Sequence, residues 1–184
     1  MNNLTKEFTK CTISSAVKSD GEIFMELYKQ MYDICKKNNW GDPFSYARSK
    51  EIYMANFLKH KVAETYSGAD GIDCDGECEY KSTIDKNIKA TYNGISVQET
   101  WDEQIYYLKN KKIAKYKNHY FARFDEGSIK EIYKMNGDKV LELLLPKLKK
   151  QFDKENKGKD PRLGASLCKN EILCNSELVY MNFT

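Results

Sequence analysis

The chain has 184 residues, of which 41% are hydrophobic and 31% charged, a mixture typical of one folded globular domain rather than of a disordered chain. Its formal charge of +3 is too small to indicate nucleic-acid binding by itself. Nearly all the positive charge is lysine, which binds phosphate as a point charge and lacks the bidentate geometry of arginine.

Two helices are predicted before any strand. The segment SDGEIFMELYKQMYDICKKNNWG (19–41) places apolar residues at helical spacing and ends at Trp40-Gly41. Its apolar stripe consists of Ile23, Leu27, Met31 and Ile34. After Asp42-Pro43, the segment FSYARSKEIYMANFLKHKV (44–62) predicts the second helix.

A β-rich segment follows the second helix. VAETY (62–66) is a candidate strand, and ADGIDC (69–74) and ECEYKST (77–83) flank Asp75-Gly76. Asp-Gly suits a two-residue type I′ turn, because both central residues of that turn need positive φ. The pattern therefore predicts a β-hairpin that turns at Asp75-Gly76.

The second half of the chain predicts further helices and strands. SVQETWDEQIYYLKNKK (96–112) has a helical pattern, whereas HYFARFD (119–125) and SIKEIYKM (128–135) predict strands. A helix begins near Asp138, and Pro146 should kink or interrupt it. This order indicates a single α/β or α+β-like domain over 1–184, with a mixed central β-sheet flanked by helices.

The predicted hairpin is crowded with acids. Five carboxylates lie within residues 70–79, and Lys81 follows them. With Asp75-Gly76 as the turn, Asp70 opposes Lys81 and Ile72 opposes Glu79, so that Asp70, Glu79 and Lys81 share one face. Asp73 points to the other face. A three-residue turn would instead bring Asp73 beside Glu79 and Lys81, so the choice between the two aspartates depends on the turn.

Two carboxylates on neighbouring strands beside an ammonium group suit a hard divalent cation. Mg²⁺ prefers oxygen ligands and keeps several waters, so Asp70, Glu79 and a phosphate of the substrate are enough to complete its coordination shell. Lys81 then orients the attacking water or helps to deprotonate it, and offsets the charge of a pentacoordinate phosphorus. A solvated hairpin whose acids keep a sheet edge from pairing explains the same composition without chemistry.

The order of Asp70 and then Glu79-Tyr80-Lys81 resembles the PD-(D/E)XK nuclease signature. The string GADGIDCDGECEYKST (68–83) is similar to the active-site hairpin of certain type II restriction endonucleases, although Ala69 stands where the signature has proline. The resemblance implies a restriction-endonuclease-like fold, Mg²⁺ held by Asp70 and Glu79, and a water nucleophile assisted by Lys81, without a covalent intermediate. It also implies a homodimer that acts on double-stranded DNA.

Glu51 is a further candidate because it lies in the apolar stripe of the second helix. In the resembled family a helix before the hairpin often supplies another acid to the metal centre. Glu51 takes that catalytic role by the resemblance, with Glu64 in reserve. Pairing of Glu51 with Arg48 or Lys50 explains its position equally well.

Other candidates lie in the second half of the chain. Gln104 is a minor candidate for the site, since packing explains its helix adequately. Arg123 is suitably placed to contact a phosphate or a guanine edge, but a surface charge is the simpler interpretation. The string KNKKIAKYK predicts either phosphate contacts or an ordinary solvated face. Its DNA-binding candidates are Lys111, Lys112 and Lys115.

Cysteine usage and the N-terminal sequence bear on the compartment. The chain has six cysteines, and MNNLTKEFTKCTISS shows no secretory signal. Neither Cys74/Cys78 nor Cys168/Cys174 has the usual spacing of zinc ligands. Reduced and mostly buried thiols are therefore expected. No apolar run approaches the roughly 20 residues of a membrane helix. We therefore expect a cytoplasmic protein without membrane contact.

The sequence as a whole predicts a Mg²⁺-dependent type II restriction endonuclease. One alternative is a DNA-repair or junction-specific nuclease of the same fold. Another is a non-catalytic DNA-binding protein whose acidic hairpin only protects a sheet edge. Because three arginines limit bidentate reading of guanine, the recognition site is expected to contain A·T pairs.

Overall fold

The computed structural model describes residues 18–64, 68–154 and 162–183. The α-helices in these ranges are α1 (Asp20–Lys37), α2 (Arg48–Leu58), α3 (Trp101–Tyr107), α4 (Gly137–Phe152) and α5 (Lys169–Asn175), with a π-helical turn at Leu108–Lys112. The strands are β1 (Lys61–Val62), β2 (Gly71–Asp73), β3 (Gly76–Thr83), β4 (Ala90–Ile95), β5 (Asn118–Asp125), β6 (Ser128–Asn136), β7 (Leu163–Leu167) and β8 (Glu177–Met181). Within the same ranges, none of the helices has the length and apolar character needed to cross a membrane.

A six-stranded mixed sheet lies at the centre of the fold. Its strand order is β1-β2-β3-β5-β6-β8, in which β3 and β5 run parallel and the other neighbouring pairs run antiparallel. Strands β4 and β7 form a separate antiparallel pair. The expected mixed α/β architecture with a mixed sheet and flanking helices is confirmed.

Both faces of the central sheet are covered. On one face, Met54 of α2 packs into a cluster with Tyr80 of β3. On the other face, Phe121 of β5 packs with Leu144 of α4 and with Ile95 of β4. Alternate residues of a strand point to opposite faces, so β3 contributes Cys78 and Tyr80 to the α2 side and Glu79 and Lys81 to the α4 side.

Helix α1 forms where it is predicted, but its apolar stripe is not covered. Ser19 caps the helix, and its side chain and Glu22 form a reciprocal capping box. The stripe residues Ile23, Leu27, Met31 and Ile34 are exposed, and Cys35 is the one buried residue of this helix. The spacing of apolar residues predicts a helix face, but it does not say what packs on that face.

Two predicted boundaries near α2 were wrong. The helix begins at Arg48 rather than at Phe44, because the Asp42 side chain accepts a hydrogen bond from the Phe44 N–H at 2.9 Å and Tyr46 has a φ of 51°. The candidate strand 62–66 is reduced to its first residue, which belongs to β1, and residues 65–67 lie outside the described ranges.

The hairpin forms, but the predicted turn was wrong by one residue. Gly71 pairs with Cys78 and Ile72 with Glu77, so Cys74 and Asp75 form the turn. Asp73 stabilises it by accepting a hydrogen bond from the Asp75 N–H at 2.8 Å. The predicted pairings of Asp70 with Lys81 and of Ile72 with Glu79 are therefore wrong. A register shift of two residues keeps each side chain on its predicted face.

Two helices of the second half differ from prediction. Helix α3 begins only at Trp101, because Thr100 caps it with a capping box to Glu103. Helix α4 continues through Pro146, so of the two predicted effects the interruption was wrong, while the kink stays a prediction. Proline removes one helical hydrogen bond. Burial of the apolar face of α4, which includes Leu144 and Leu148, offsets that loss.

Four elements were not predicted at all. Strands β4 and β7 are five to six residues long and pair with each other across a long sequence separation. Helix α5 and strand β8 follow in the tail, where β8 extends the central sheet beside β6. Strands this short carry little pattern of their own, and their existence depends on partners distant in the sequence.

Candidate active site

Asp70, Glu79 and Lys81 meet on the α4-facing side of the central sheet. The Asp70 N–H donates to the Cys78 carbonyl at 3.1 Å, which holds Asp70 against β3, and the Glu79 charge acts on the Asp70 carboxyl group. The Lys81 ammonium pairs with the Glu79 carboxylate and also donates to the Tyr80 carbonyl at 3.2 Å. The three residue types that resemble the nuclease signature therefore share one face.

Asp70 has a strongly perturbed carboxyl group. Burial is the main cause, and the neighbouring Glu79 carboxylate adds to it, so that the pKa of Asp70 rises to about 8. The Lys81 ammonium and a 2.8 Å hydrogen bond from the Tyr80 N–H act in the opposite direction. At neutral pH and without a bound cation, Asp70 therefore tends to keep its proton.

Lys81 is held as an ammonium group. Burial by itself lowers the pKa of a lysine, but the Glu79 and Asp70 carboxylates outweigh burial and raise the pKa of Lys81. The ring of Tyr92 lies 5.3 Å from Lys81 Nζ, within the range of a cation–π contact. In this arrangement Lys81 is a fixed positive charge rather than a free base.

Glu51 lies at the margin of this group and is held by an arginine. Its Oε2 is 3.3 Å from Arg48 Nη1. Arg48 is buried and donates from Nε to the Trp40 carbonyl at 2.7 Å. The negative charge of Glu51 contributes to the raised pKa of both Asp70 and Lys81. Glu51 therefore forms the expected ion pair with Arg48 and is also close enough to Asp70 and Lys81 to affect their pKa values.

Asp73 lies on the opposite face of the sheet from Glu79 and Lys81. Its carboxylate accepts hydrogen bonds from the Asn118 amide at 2.8 Å and from the Tyr120 hydroxyl at 2.9 Å. Burial opposes ionisation here, but these hydrogen bonds prevail and lower the pKa of Asp73. Asp70, not Asp73, is therefore the aspartate placed beside Glu79 and Lys81.

One cluster of three potential metal ligands occurs within the described part of the chain. Asp73, Cys74 and Asp75 bring one ligand atom each within 4.8 Å of one another, at the exposed turn of the hairpin. A thiol is a soft ligand that Mg²⁺ does not favour, and Lys117 and Asn118 already engage Asp75. This cluster therefore does not indicate a magnesium site. Glu51, Asp70 and Glu79 do not form such a compact triplet.

Two polar residues beneath the site were missed in the sequence. Tyr92 of β4 donates from its hydroxyl to His119 Nδ1 at 2.8 Å, since His119 Nε2 donates to the Ile113 carbonyl at 3.0 Å. Burial lowers the pKa of His119 to about 4, so the imidazole is neutral. The register pairs His119 directly with Glu79. The sequence signal for Tyr92 was the weak alternation within ATYNGI, which was not recognised as a strand.

Gln104 and Glu64 have other contacts. Gln104 is fully buried, accepts from the Gln98 N–H at 2.9 Å and donates to the Ser96 carbonyl at 3.3 Å, so it orders the loop before α3. Glu64 is exposed and lies 3.7 Å from Lys61. Structural roles explain both residues.

The candidate DNA-contacting residues lie in different places. Arg123 shares the sheet face of Lys81 but is paired with Glu131, its Nε lying 2.7 Å from Glu131 Oε1. Lys115 lies 3.0 Å from Glu77 Oε2, which attaches the lysine-rich loop (residues 109–117) to the β2–β3 hairpin. Lys111 and Lys112 are exposed on the π-helical turn.

The cysteines of the described ranges are free thiols. Cys35 and Cys78 are buried, and burial raises the pKa of Cys78 to about 12. The expectation of buried thiols was wrong for three residues that are exposed, namely Cys74, Cys168 and Cys174. Cys11 lies outside the described residues.

Comparisons with protein-family models and with curated proteins give no match for this chain. Its function is therefore argued from the residues of the site and their geometry.

Proposed function

We propose that the chain is a Mg²⁺-dependent endonuclease of the PD-(D/E)XK type, a type II restriction endonuclease that hydrolyses double-stranded DNA at a specific short sequence as a homodimer. The observation that carries this proposal is the placement of Asp70, Glu79 and Lys81 on one face of adjacent strands. A mixed sheet covered on both faces is compatible with a restriction-endonuclease-like core.

Asp70 and Glu79 are the residues that would hold the cation. Both supply hard oxygen ligands, and Mg²⁺ completes its shell with waters and substrate oxygens rather than with a full protein cage. A bound cation would relieve the repulsion between Asp70 and Glu79 that helps to raise the pKa of Asp70. Bound Mg²⁺ supplies Lewis acidity, which lowers the pKa of water and stabilises charge on phosphate oxygens.

Lys81 supplies a positive charge at a fixed place. Because the carboxylates keep it protonated, it donates hydrogen bonds to the nucleophilic water or to the scissile phosphate and offsets developing negative charge. Its pairing with Glu79 and the Tyr92 ring restrict where the ammonium lies. Reaction by in-line attack of water requires this orientation more than it requires a strong base.

Positioning and DNA contact involve residues around the site. Glu51, held by Arg48, adds negative charge near Asp70 and so favours cation binding. The lysine-rich loop that contains Lys111, Lys112 and Lys115 lies beside the hairpin and suits phosphate contacts that position the duplex without reading bases. Arg123 forms an ion pair with Glu131 and would have to give up this pairing to contact a DNA base.

Cleavage of unmodified plasmid or phage DNA by the purified chain tests the proposal. Incubation with Mg²⁺ should give discrete fragments, and incubation with EDTA should give none. Glu79→Ala and Lys81→Ala should each lower the rate roughly 10³-fold, because each removes a group that acts on the reacting centre. Glu142→Gln is the matched control, since this acid of α4 is 66% exposed and should leave cutting within a fewfold of wild type.

The substrate pattern separates the alternatives. Discrete bands from intact plasmid support a restriction enzyme, whereas cutting only of flaps, junctions or mismatches supports a repair nuclease. DNA binding in Mg²⁺ without cutting, unchanged by Asp70→Ala, would overturn the nuclease proposal in favour of a binding protein. A cleavage site made only of G·C pairs would contradict the expected A·T-containing sequence.

A further inference from the structure

One aromatic ring lies against the ammonium group of Lys81. The centroid of the Tyr92 ring is 5.3 Å from Lys81 Nζ, and a cation within about 6 Å of a ring is attracted by the negative face of the π-system. Both partners are mostly shielded from water, since Tyr92 is 6% exposed and the Lys81 side chain 24% exposed. Such a contact is stronger away from water than on an open surface. The Tyr92 ring is therefore a second anchor for Lys81, in addition to Glu79.

The fold fixes the Tyr92 ring at both of its ends. The backbone of Tyr92 is held in β4, where it pairs with Ala165 of β7. The hydroxyl donates to His119 Nδ1 at 2.8 Å, and His119 Nε2 donates to the Ile113 carbonyl at 3.0 Å. The aromatic body between these ends packs in the apolar cluster that includes residues of α4. A ring held in this way presents one face at one place, so it sets the position of a flexible ammonium group.

Glu79 by itself does not hold Lys81 throughout the proposed reaction. Its carboxylate pairs with the Lys81 ammonium and is also one of the two groups that would hold Mg²⁺. The ammonium competes with a bound divalent cation for the same oxygens and is repelled by it. The Tyr92 hydroxyl is already bonded to His119, so the Tyr92 ring remains a partner for Lys81 when the acids hold the metal.

Lysines lie over aromatic rings elsewhere in the chain, so this type of contact alone does not indicate a function. Lys50 Nζ lies 5.6 Å from the centroid of Phe124, on the α2 side of the sheet. The Lys81 ammonium differs because it also pairs with Glu79 and lies close enough to Asp70 for the two charges to interact. The Tyr92 ring therefore acts on the one charge that the proposed reaction needs at a fixed place.

We propose that Tyr92 is a positioning residue, which holds the Lys81 ammonium in place for the scissile phosphate or its attacking water through the negative face of its ring. This inference rests on the proposed function, because it assigns Tyr92 a task in that reaction. Tyr92 acts through Lys81 and not on the DNA itself. The hydrogen bond to His119 sets the orientation of the ring, so the aromatic face matters more for the reaction than the hydroxyl does.

Ring fluorination tests this inference, because it withdraws electron density from the face of the ring and nearly preserves its shape. Tyr92→Phe keeps the ring and gives up one hydrogen bond, so kcat for plasmid cleavage should fall by less than about fivefold. Replacing Tyr92 by pentafluorophenylalanine should lower kcat roughly tenfold further and leave KM for DNA within about twofold. The same replacement at Phe124, whose ring faces Lys50, is the matched control and should keep the wild-type rate.

NMR of the full chain, without metal or DNA, gives a second readout that does not depend on cleavage. Protons above an aromatic face resonate upfield, so the ε-methylene protons of Lys81 should be displaced upfield in wild type and in Tyr92→Phe. The Lys81→Arg variant identifies their signal in protein labelled at lysine. In Tyr92→Leu the signal should return to the usual lysine position, and melting curves show whether that variant is folded. The pentafluorophenylalanine variant, which fills the same space, should also reduce the displacement.

The outcomes of the two measurements support or overturn the inference separately from the proposed function. Equal kcat values for phenylalanine and pentafluorophenylalanine at position 92 overturn it, and so does a Lys81 signal that loss or fluorination of the ring leaves unchanged. An equal loss of rate at Phe124 also overturns it, because the effect would then arise from packing. If wild type cuts no DNA, the proposed function fails, and the Lys81 signal still decides whether the Tyr92 ring holds the ammonium.

Discussion

Asp70 is the residue at which stability and the proposed chemistry conflict. Its carboxyl group is ionised in the unfolded chain above pH 4, but in the folded chain burial and Glu79 raise the pKa of Asp70 to about 8. Between these values the folded state holds a proton that the unfolded state releases, so this group makes stability fall as the pH rises from about 4 to 8. Such a cost is common at sites whose residues serve function.

Replacing Asp70 by asparagine should therefore stabilise the metal-free protein. The asparagine side chain keeps an oxygen for the Tyr80 N–H and removes the buried charge. At pH 8 we expect a gain of roughly 2 kcal/mol, or on the order of 5 °C in Tm. Millimolar Mg²⁺ should raise the Tm of wild type but not that of the variant. Thermal melts at pH 5 and pH 8 measure both effects, and a variant that melts below wild type at pH 8 contradicts them.

His119 should make the protein sensitive to acid. Burial lowers the pKa of His119 to about 4, whereas an unfolded histidine titrates near 6.5. The unfolded state therefore binds an extra proton between these values, so His119 contributes a loss of about 3 kcal/mol as the pH drops from 6.5 to 4, opposite in sign to the contribution of Asp70. Urea denaturation of wild type and of a His119 variant across this range separates the histidine contribution from that of Asp70. His119→Gln should be less stable at pH 7 yet lose less on acidification, and an equal loss in the variant would contradict the assignment.

At the residue scale, the sequence predicts which side chains share a face but not their electrostatics. Alternation along β3 is a property of every strand, so Glu79 and Lys81 could be grouped from their spacing. The raised pKa of Asp70 depends on its burial in the folded chain and on the Glu79 carboxylate, and the degree of burial has no local sequence signal. The Tyr92–His119 hydrogen bond joins residues 27 positions apart and has no local signal.

At the scale of elements, the β2–β3 hairpin shows how a wrongly predicted turn still placed each side chain on its predicted face. The turn uses Cys74 and Asp75 rather than Asp75 and Gly76, and the register moves by two residues. An even shift returns every side chain to its face, whereas a shift of one residue would have exchanged Asp70 for Asp73. The Asp75 N–H donates to the Asp73 carboxylate, and this Asx hydrogen bond favours the Cys74-Asp75 turn over the turn that the Asp-Gly pair predicts.

The contact between the lysine-rich loop and the start of α4 requires a glycine at position 137. Gly137 donates to the Lys117 carbonyl at 2.9 Å, and a Cβ atom there would overlap the Tyr116 backbone oxygen. Gly137→Ala should therefore displace the loop that carries Lys115 and cost roughly 2–3 kcal/mol of unfolding free energy. Urea denaturation gives the value.

Gly21→Ala is the matched control for that substitution. Gly21 lies in the first turn of α1, and an added Cβ meets nothing closer than 4.0 Å among the described residues. Alanine there should raise stability by up to about 1 kcal/mol through helix propensity. Equal effects of the two substitutions would show that helix propensity, and not close packing at Tyr116, determines the result at Gly137.

At the scale of the whole molecule, the central sheet separates two environments. Cys78 and Tyr80 of β3 lie in the apolar cluster under α2, while Glu79 and Lys81 face the side of β4 and α4. The mixed α/β class followed from the order of helices and strands in the sequence. The β4–β7 and β6–β8 pairings could not be predicted from the sequence, because pairing between distant strands leaves little pattern in a short segment.

In the proposed Mg²⁺-dependent DNA cleavage, Asp70 rather than Asp73 acts with Glu79 and Lys81. The most direct measurement is the initial rate of plasmid cleavage in Mg²⁺ by Asp70→Asn beside Asp73→Asn, with melting curves to show that both variants are folded. Cleavage by Asp70→Asn should be slower by roughly 10³-fold, while Asp73→Asn should stay within about tenfold of wild type. A large loss in Asp73→Asn with little loss in Asp70→Asn, or no cleavage by the wild type, would contradict this prediction.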